Sequence, residues 1–147
     1  MSYHYTESGL PNVYIAGLRP MTDDDGDEVI TINFVNLLHR EIARGVVSHE
    51  KGMSPDELRF LRTEMGITQS ELAAMVHRDK QSIGRWERGE CSIEGSAETV
   101  IRGIAIDRLG LDQVEGGIEQ LAKSSVPTAE IQPIHINAVE GGYNLAA

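Results

Sequence analysis

Cysteine is almost absent from this sequence, which contains a single thiol at Cys91. One cysteine cannot close a disulfide within the chain, and it supplies no pair of thiolates for a zinc site. The histidines are scattered, without the His-x-x-x-His spacing that brings two imidazoles together on a helix; they are His4, His39, His49, His77 and His135. We therefore expect no metal and no other cofactor, and a reducing compartment such as the cytoplasm.

Long hydrophobic runs are missing as well. No apolar stretch comes near the ~18 residues that a membrane helix needs, and the opening MSYHYTESGL lacks the basic and apolar segments of a secretory signal. We also find no nucleophile-base-oxyanion pattern, no phosphate-binding glycine loop and no cluster of metal-binding carboxylates. These absences predict a cytoplasmic protein that has no membrane partner and is not an enzyme.

Aromatic residues are few, at 5% of 147 residues, whereas hydrophobic residues make up 40%. The core must then consist mainly of Leu, Ile, Val, Ala and Met, a composition that favours helices. The length suffices for one packed core with appended arms. We predict a mainly α fold, a four- or five-helix bundle with small β-containing extensions at both ends, which makes the whole chain α+β.

Basic residues are outnumbered, since 13 Lys and Arg oppose 23 Asp and Glu and give a net charge of −10. Most of the excess is peripheral: residues 54–110 carry a net charge of −2, and the rest of the chain carries −8. An acidic total argues against indiscriminate binding of nucleic acid. The segment DKQSIGRWERG at 79–89 nevertheless concentrates Lys80, Arg85 and Arg88. Taken alone, such a cluster is typical of an ordinary solvated helix face.

Residues 1–52 form the first predicted segment, a strand and helix extension. The β-branched run VITI at 29–32 predicts a strand, and YHYTES and NVYIAGL also alternate. Asn33 suits the N-cap of a helix that follows. Its predicted apolar face consists of Phe34, Leu37, Leu38, Ile42 and Val46.

The acidic run DDDGDE at 23–28 fits a solvated turn between strands. On a calcium-binding EF-hand loop, its glycine would place Met21 and Ile32 at ligand positions, so that interpretation fails. The alternative roles of the run are to repel DNA or to attract a basic partner.

Residues 53–110 predict four short helices with well-marked ends. SPDE at 54–57 and TQSE at 68–71 are capping boxes, the first with proline at the first helical position. Gly66 and Gly110 suit the left-handed residue that follows a helix. The third helix begins after Asp79 and stops at Gly89.

Residues 111–147 predict a weaker amphipathic helix, interrupted by the glycine pair at 116–117, and then a β-hairpin around EGG at 140–142. Pro133 argues against a central strand position for the hairpin. The apolar residues that define these elements are Val114, Ile118 and Leu121 in the helix, and Ile131, Ile134 and Ile136 in the hairpin. We predict that this segment is a dimerisation arm.

Residues 67–89, ITQSELAAMVHRDKQSIGRWERG, predict two short helices joined by a tight turn. On the second helix Ile83 and Trp86 are predicted to face the core. We prefer this interpretation of Trp86 to a contact with a ligand, because its spacing of three from Ile83 already explains it. The opposite side carries Lys80, Gln81, Gly84 and Arg85. Lys and Arg donate to guanine O6 and N7, and Gln pairs with adenine. Ser82 and Arg88 suit DNA phosphates, as does Gln69 at the first turn of the preceding helix.

The Thr-Gln-x-Glu-Leu-Ala opening and the Arg-Trp-Glu-x-Gly close resemble the phage-repressor-like (Cro/cI, XRE) helix-turn-helix proteins. The resemblance covers about fifty residues and implies a lambda-repressor-like bundle that binds double-stranded DNA. It also assigns base reading to Lys80, Gln81 and Arg85, backbone contacts to Gln69 and Arg88, and a salt bridge to Arg62 and Glu87. Relatives usually carry glycine at His77 and a buried apolar residue at Arg78, so the turn is expected to differ locally.

Three functions remain open for a chain of this kind, and the third is an RNA- or protein-interaction module that reuses the bundle. The first is a transcriptional repressor whose flanks form a homodimer, because paired recognition helices lie about 34 Å apart on an operator. The second is a type II antitoxin that binds a small basic toxin and autoregulates its operon. YHYTESGLPNVYIAG resembles the start of MqsA- and HigA-type antitoxins, but the zinc-binding cysteines of the MqsA type are missing, so the similarity points to a metal-free relative.

Overall fold

The computed structural model of the protein describes residues 2–128 and 130–146. Within them a helical bundle packs beside a small sheet around a continuous core. The strands are β1 (Ser2–Tyr5), β2 (Val13–Ala16), β3 (Met21–Thr22), β4 (Glu28–Val29), β5 (Ile134–Val139) and β6 (Gly142–Leu145). The helices are α1 (Val35–Ser48), α2 (Pro55–Glu64), α3 (Gln69–Met75), α4 (Lys80–Glu87), α5 (Gly95–Leu109) and α6 (Gly117–Ser124). The predicted α+β fold with β-containing extensions is confirmed.

A four-stranded sheet joins the two ends of the chain. Its order is β1-β2-β5-β6, with β2 and β5 parallel and the two outer pairs antiparallel. Helix α1 packs against β5 and β6. Alternate residues of the central strands point into the core, and the β-branched side chains among them suit a pleated surface; the buried ones are Val13, Ile15, Ile134 and Ile136. The first and last segments therefore fold together.

The strand predicted at 29–32 is wrong for most of its length. Only Glu28–Val29 forms a strand, and it pairs with β3 in a small hairpin apart from the main sheet. Ile30 and Thr31 are exposed and belong to no strand. Within the described residues, the run joins neither outer strand of the main sheet, β1 or β6, and β-branched residues favour a strand only where they can pack on neighbouring strands.

Helix α1 begins later than predicted. Asn33 is not the N-cap; Phe34 holds that position in a left-handed conformation, with φ 55° and ψ 48°, and makes no side-chain cap. The placing of Phe34 and Leu37 on the buried face was also wrong, because they are 57% and 44% exposed. The rest of the predicted face is fully buried, namely Leu38, Ile42 and Val46.

The four predicted bundle helices are present as α2 to α5. Ser54 and Thr68 each accept the third backbone N–H of their helix, while the Glu at that position returns the bond, so both capping boxes form. Gly66 and Gly110 take the left-handed conformation expected after a helix. Local sequence thus sets the ends of these helices.

The last segment contains α6 and the predicted hairpin of β5 and β6. The helix begins at the second glycine instead of being interrupted; Leu121 is buried, but Ile118 is 72% exposed. The prediction that Pro133 keeps the hairpin out of a central strand position was wrong, since β5 lies between β2 and β6. The strand begins at Ile134, immediately after the proline, where the missing N–H costs no ladder bond. Ile131 precedes the strand and is exposed.

A buried arginine ties α5 to the segments on either side of the bundle. Arg102 is fully buried and pairs with Glu98, Nη2 to Oε2, over 2.8 Å. Its guanidinium also donates to the backbone carbonyls of His49 over 2.8 Å and of Lys51 over 2.7 Å.

No helix in the described ranges is long and apolar enough to cross a bilayer.

Candidate nucleic-acid interface

The turn between α3 and α4 depends on a left-handed residue. His77 has a φ of 57°, and the N–H of Arg78 then donates to the carbonyl of Ala73 over 2.9 Å. Histidine is one of the residues enriched in this conformation, although it is more strained there than glycine. The sequence left open whether His77 would adopt this conformation, and it does. The turn thereby places Asp79 at the N-cap of α4, where its carboxylate accepts a hydrogen bond from the N–H of Ser82 over 2.8 Å.

Arg78 takes a different place from the buried apolar residue usual in repressor-like turns. It is exposed and forms an ion pair with Glu94 in the loop before α5. Its hydrogen bond lowers the pKa of the Glu94 carboxyl, and a second bond from Ser96 acts in the same direction. Arg78 thus links the turn to the next helix instead of filling the core.

Helix α4 divides into two faces. Ile83 and Trp86 are buried in the core, as expected from their spacing. Lys80, Gln81 and Arg85 are exposed on the opposite side. In the part of the chain that the structure describes, neither Lys80 nor Arg85 forms an ion pair, so both cations face solvent unneutralised.

The exposed side of α4 and the start of α3 enclose one shallow concavity of 270 Å³. Six of the seven residues predicted to contact DNA line it: Gln69, Lys80, Gln81, Gly84, Arg85 and Arg88. The seventh, Ser82, lies outside and is partly buried. The structure therefore brings the four predicted base-reading residues and two of the three predicted phosphate residues onto a single surface, which we name the α4 surface.

Gly84 is buried because the guanidinium of Arg88 lies over it. A Cβ built at Gly84 would stand 2.9 Å from Arg88 Nη1. Close approach of the backbone at Gly84 to a base edge therefore requires the Arg88 side chain to swing away. Arg88 is itself exposed and paired with Glu90, two residues further along the chain.

Glu87 holds three helices together beneath the α4 surface. Its buried carboxylate binds Arg62 of α2 in a bidentate ion pair, with Nε to Oε2 at 2.6 Å and Nη2 to Oε1 at 3.0 Å. Gln69 of α3 donates from Nε2 to the same carboxylate over 3.1 Å. The hydrogen bonds to Glu87 raise the pKa of Arg62. The expected pair between Arg62 and Glu87 is thus present, and Gln69 is fixed in place by it.

Two carboxylates that pair with cations at the edge of this surface were not predicted from the sequence, namely Glu90 with Arg88 and Glu94 with Arg78. Opposite charges two residues apart, as in Arg88 and Glu90, were visible in the sequence. Their pairing depends on the loop after α4, which no local pattern specified.

The predicted phosphate contact of Arg88 implies that Glu90 weakens DNA binding, because Glu90 competes with phosphate for the Arg88 guanidinium. We expect Glu90→Gln to raise affinity for all DNA sequences severalfold, because an exposed ion pair is worth up to about 1 kcal/mol. Fluorescence anisotropy with operator and with scrambled DNA measures this. Glu119→Gln is the matched control, since it removes the same charge from an exposed pair with Lys123 on α6. An equal gain in both variants would assign the effect to net charge alone.

No group of three or more His, Cys, Asp or Glu residues that could hold a metal ion occurs within residues 2–128 and 130–146. Cys91 is free and exposed after α4.

Comparison with known proteins agrees with this geometry. Residues 58–101 match a family model described as helix-turn-helix, and the match spans α2, α3, α4 and the start of α5. Searches of curated proteins and of solved structures found no match to the chain. Residues 58–101 therefore form a phage-repressor-like (Cro/cI, XRE) helix-turn-helix, the DNA-binding part of a transcriptional regulator.

Proposed function

We propose that the protein is a sequence-specific repressor that binds operator DNA in the cytoplasm as a homodimer, with α4 in the major groove. The observation that carries this proposal is the division of α4 into a buried anchor side and the exposed α4 surface, on which Lys80 and Arg85 form no ion pair within the described residues. A groove about 12 Å wide admits one helix. The anchors Ile83 and Trp86 fix the rotation of α4, so its polar side chains point outward together.

The residue types on the α4 surface suit base edges. Lys80 and Arg85 are cationic donors for guanine O6 and N7, and Gln81 offers both a donor and an acceptor to adenine. Each good bidentate contact discriminates against the wrong base by about 1–3 kcal/mol. We therefore assign base reading to these three residues. The backbone at Gly84 also approaches a base edge once the Arg88 side chain swings away.

Phosphate contacts fall to the residues at the margin of the α4 surface. Arg88 is exposed at the end of α4, and its charge becomes available once it leaves Glu90. Gln69 already uses one amide N–H on Glu87 and retains a second donor. Ser82 lies near the start of α4 with its backbone N–H already capped. Such contacts set the register on DNA and carry no direct sequence information.

A phosphate contact at Arg88 is tested by Arg88→Ala. We expect affinity to fall by a similar factor for operator and for unrelated DNA, and the slope of log K against log salt to shrink by about 0.9. Titrations at several salt concentrations measure both. Arg108→Ala, at an exposed position on α5 outside the α4 surface, is the control. Loss of operator binding alone would move Arg88 to the base-reading group.

A second candidate function, antitoxin, is favoured by the hairpin of β3 and β4. Its acidic tip is the solvated turn expected from the sequence, with Asp23 Oδ1 accepting the N–H groups of Asp25 and Asp27. None of the five carboxylates between Asp23 and Glu28 forms an ion pair in the described ranges. Met21 and Val29 at its base are exposed. An apolar base under an acidic tip suits a small basic toxin.

Growth rescue tests the antitoxin function. The chain should restore growth when a small basic protein from the neighbouring reading frame is expressed, and a variant with Asp23→Asn, Asp24→Asn and Asp25→Asn should fail to do so. If the wild-type chain and the variant both restore growth, the hairpin is not the toxin contact. If neither restores growth, the antitoxin function is excluded and the repressor function stands by itself.

A further inference from the structure

Strand β6 leaves one edge of the main sheet open. It pairs with β5 on one side and with no strand on the other. The N–H of Ala146 donates to the carbonyl of His135. Because hydrogen-bonded and non-bonded pairs alternate in an antiparallel ladder, Tyr143 and Leu145 turn their backbone N–H and C=O groups away from β5. Among the described residues, no hydrogen bond satisfies those outward groups.

The edge also lacks the usual protection against pairing. Strand β6 has the sequence GYNL, without a charge or a proline. Natural proteins commonly place lysine, proline or a bulge on an edge strand to keep other strands away. An unprotected edge of this kind is complementary to itself, since an identical strand can pair with it in the antiparallel sense.

Apolar side chains lie exposed beside this edge. A groove of 350 Å³ runs between α1 and the turn joining β5 to β6, and it is lined by Leu37, Val139 and Tyr143 among others. Leu37 and Val139 are 44% and 46% exposed. A second groove continues it past Phe34 and shares Val139 and Tyr143. The exposed patch is therefore continuous from the sheet edge to the start of α1.

Phe34 is held in an unfavourable conformation that displays its ring. A left-handed backbone is a genuine outlier for a bulky residue, and such strain persists only where its surroundings impose it. The hydroxyl of Tyr143 donates to the carbonyl of Asn33 over 2.5 Å and fixes the residue just before Phe34. The ring nevertheless remains 57% exposed. This display suits an aromatic anchor at a protein interface.

The charges around the groove are mixed, which favours a second copy over a basic partner. Arg40 and Arg44 of α1 face the groove together with Glu41, and Glu140 joins them from the turn. In a two-fold interface the same patch of each copy makes the contact. The patch must therefore carry both positive and negative charges to complement itself. A surface for a basic partner would be acidic throughout.

We propose that β6 pairs with β6 of a second copy about a two-fold axis at Asn144, joining two sheets into one. Tyr143 then faces Leu145 of the second copy in hydrogen-bonded pairs, and the two Asn144 residues face each other in a non-bonded pair. Leu37, Val139 and Phe34 are covered beside this seam. The proposal rests on the proposed function, because a helix-turn-helix operator requires two recognition helices.

A disulfide tests the register directly. In a non-bonded pair the two Cα atoms are about 4.5 Å apart, within the range that a disulfide spans. Oxidation of Cys91→Ser/Asn144→Cys should give a covalent dimer in the absence of DNA. Cys91→Ser/Asn137→Cys is the matched control, because Asn137 lies opposite Asn144 on β5, is equally exposed and shares the same side-chain hydrogen bond. Equal cross-linking of both variants, or none in either, overturns the register.

Phe34→Gly tests the patch without damaging the fold, since glycine accepts a left-handed φ that strains phenylalanine. We expect the dimer dissociation constant, measured by sedimentation without DNA, to rise about tenfold or more while the unfolding temperature is kept or raised. Ile118→Ser, at a position that is 72% exposed on α6, should leave the dimer unchanged. A wild-type chain that stays monomeric, or that buries the patch only against a basic protein, overturns the proposal. A dimer that binds operator DNA without using β6 would overturn this interface and leave the proposed function standing, whereas a chain that binds operator DNA only as a monomer would contradict the homodimer of the proposed function as well.

Discussion

Replacing Lys80 and Arg85 together by alanine should lower operator affinity about a hundredfold or more, because we propose that each side chain contacts a base edge and a good contact of this kind contributes about 1–3 kcal/mol of discrimination. Both residues are exposed and unpaired within the described residues, so their removal leaves no buried group without a partner. The unfolding temperature should stay the same. Competition titrations against scrambled DNA at fixed salt separate lost specificity from lost charge, since affinity for scrambled DNA should fall much less.

The matched control for this double substitution is Arg108→Ala/Lys123→Ala. Both residues are exposed cations outside the α4 surface, and the net charge changes by the same amount. A similar loss in the control would mean that long-range attraction dominates binding. Unchanged operator binding by Lys80→Ala/Arg85→Ala would show that α4 is not the recognition helix.

The helix-turn-helix could be predicted from sequence because its determinants are local. The capping boxes begun by Ser54 and Thr68, and the carboxylate of Asp79, fix where three helices start. A spacing of three between Ile83 and Trp86 fixes which side of α4 is buried. With those boundaries set, the opposite side of α4 follows from helix geometry alone. The concavity was therefore foreseeable in its residue content, apart from Ser82.

The sheet could not be predicted in the same way, because its pairings are distant in sequence. Val13 lies opposite Ile134 and Ala16 opposite Asn137, although more than a hundred residues separate them. The run at 29–32 has stronger β propensity than YHYTES, yet it joins neither outer edge of the main sheet. Strand formation is decided by which neighbours are available, and a single sequence does not state this.

The burial of the charged pair Glu98 and Arg102 could not be predicted from sequence for a related reason. Glu98 and Arg102 occur at i and i+4 on α5, a spacing that usually indicates an exposed ion pair. Here α6 and the chain between α1 and α2 cover them, and backbone carbonyls at the ends of those segments satisfy the guanidinium. The burial comes from the flanking segments and not from α5.

Arg102→Met should lower the free energy of unfolding by about 3–5 kcal/mol, because breaking a buried ion pair on one side leaves the other charge unpaired. Arg102 is fully buried and Glu98 is 3% exposed, so water cannot compensate. Urea unfolding at neutral pH measures the free energy of unfolding. The double variant Arg102→Met/Glu98→Gln should recover part of the loss, because it removes the stranded carboxylate.

The loss should also depend on pH with a definite sign. Burial already raises the pKa of Glu98 in the folded protein, while Arg102 opposes that effect. Without Arg102 the folded pKa rises further above the unfolded value, so the folded state binds the extra proton as the solution becomes acidic. Stability linked to a raised carboxyl pKa is present below the unfolded pKa and is lost as pH rises through the folded one. Arg102→Met should therefore regain stability relative to wild type between neutral and mildly acidic pH, and Arg102→Met/Glu98→Gln should not. A pH-independent deficit in Arg102→Met would mean that Glu98 finds another partner or reaches water when the arginine is removed.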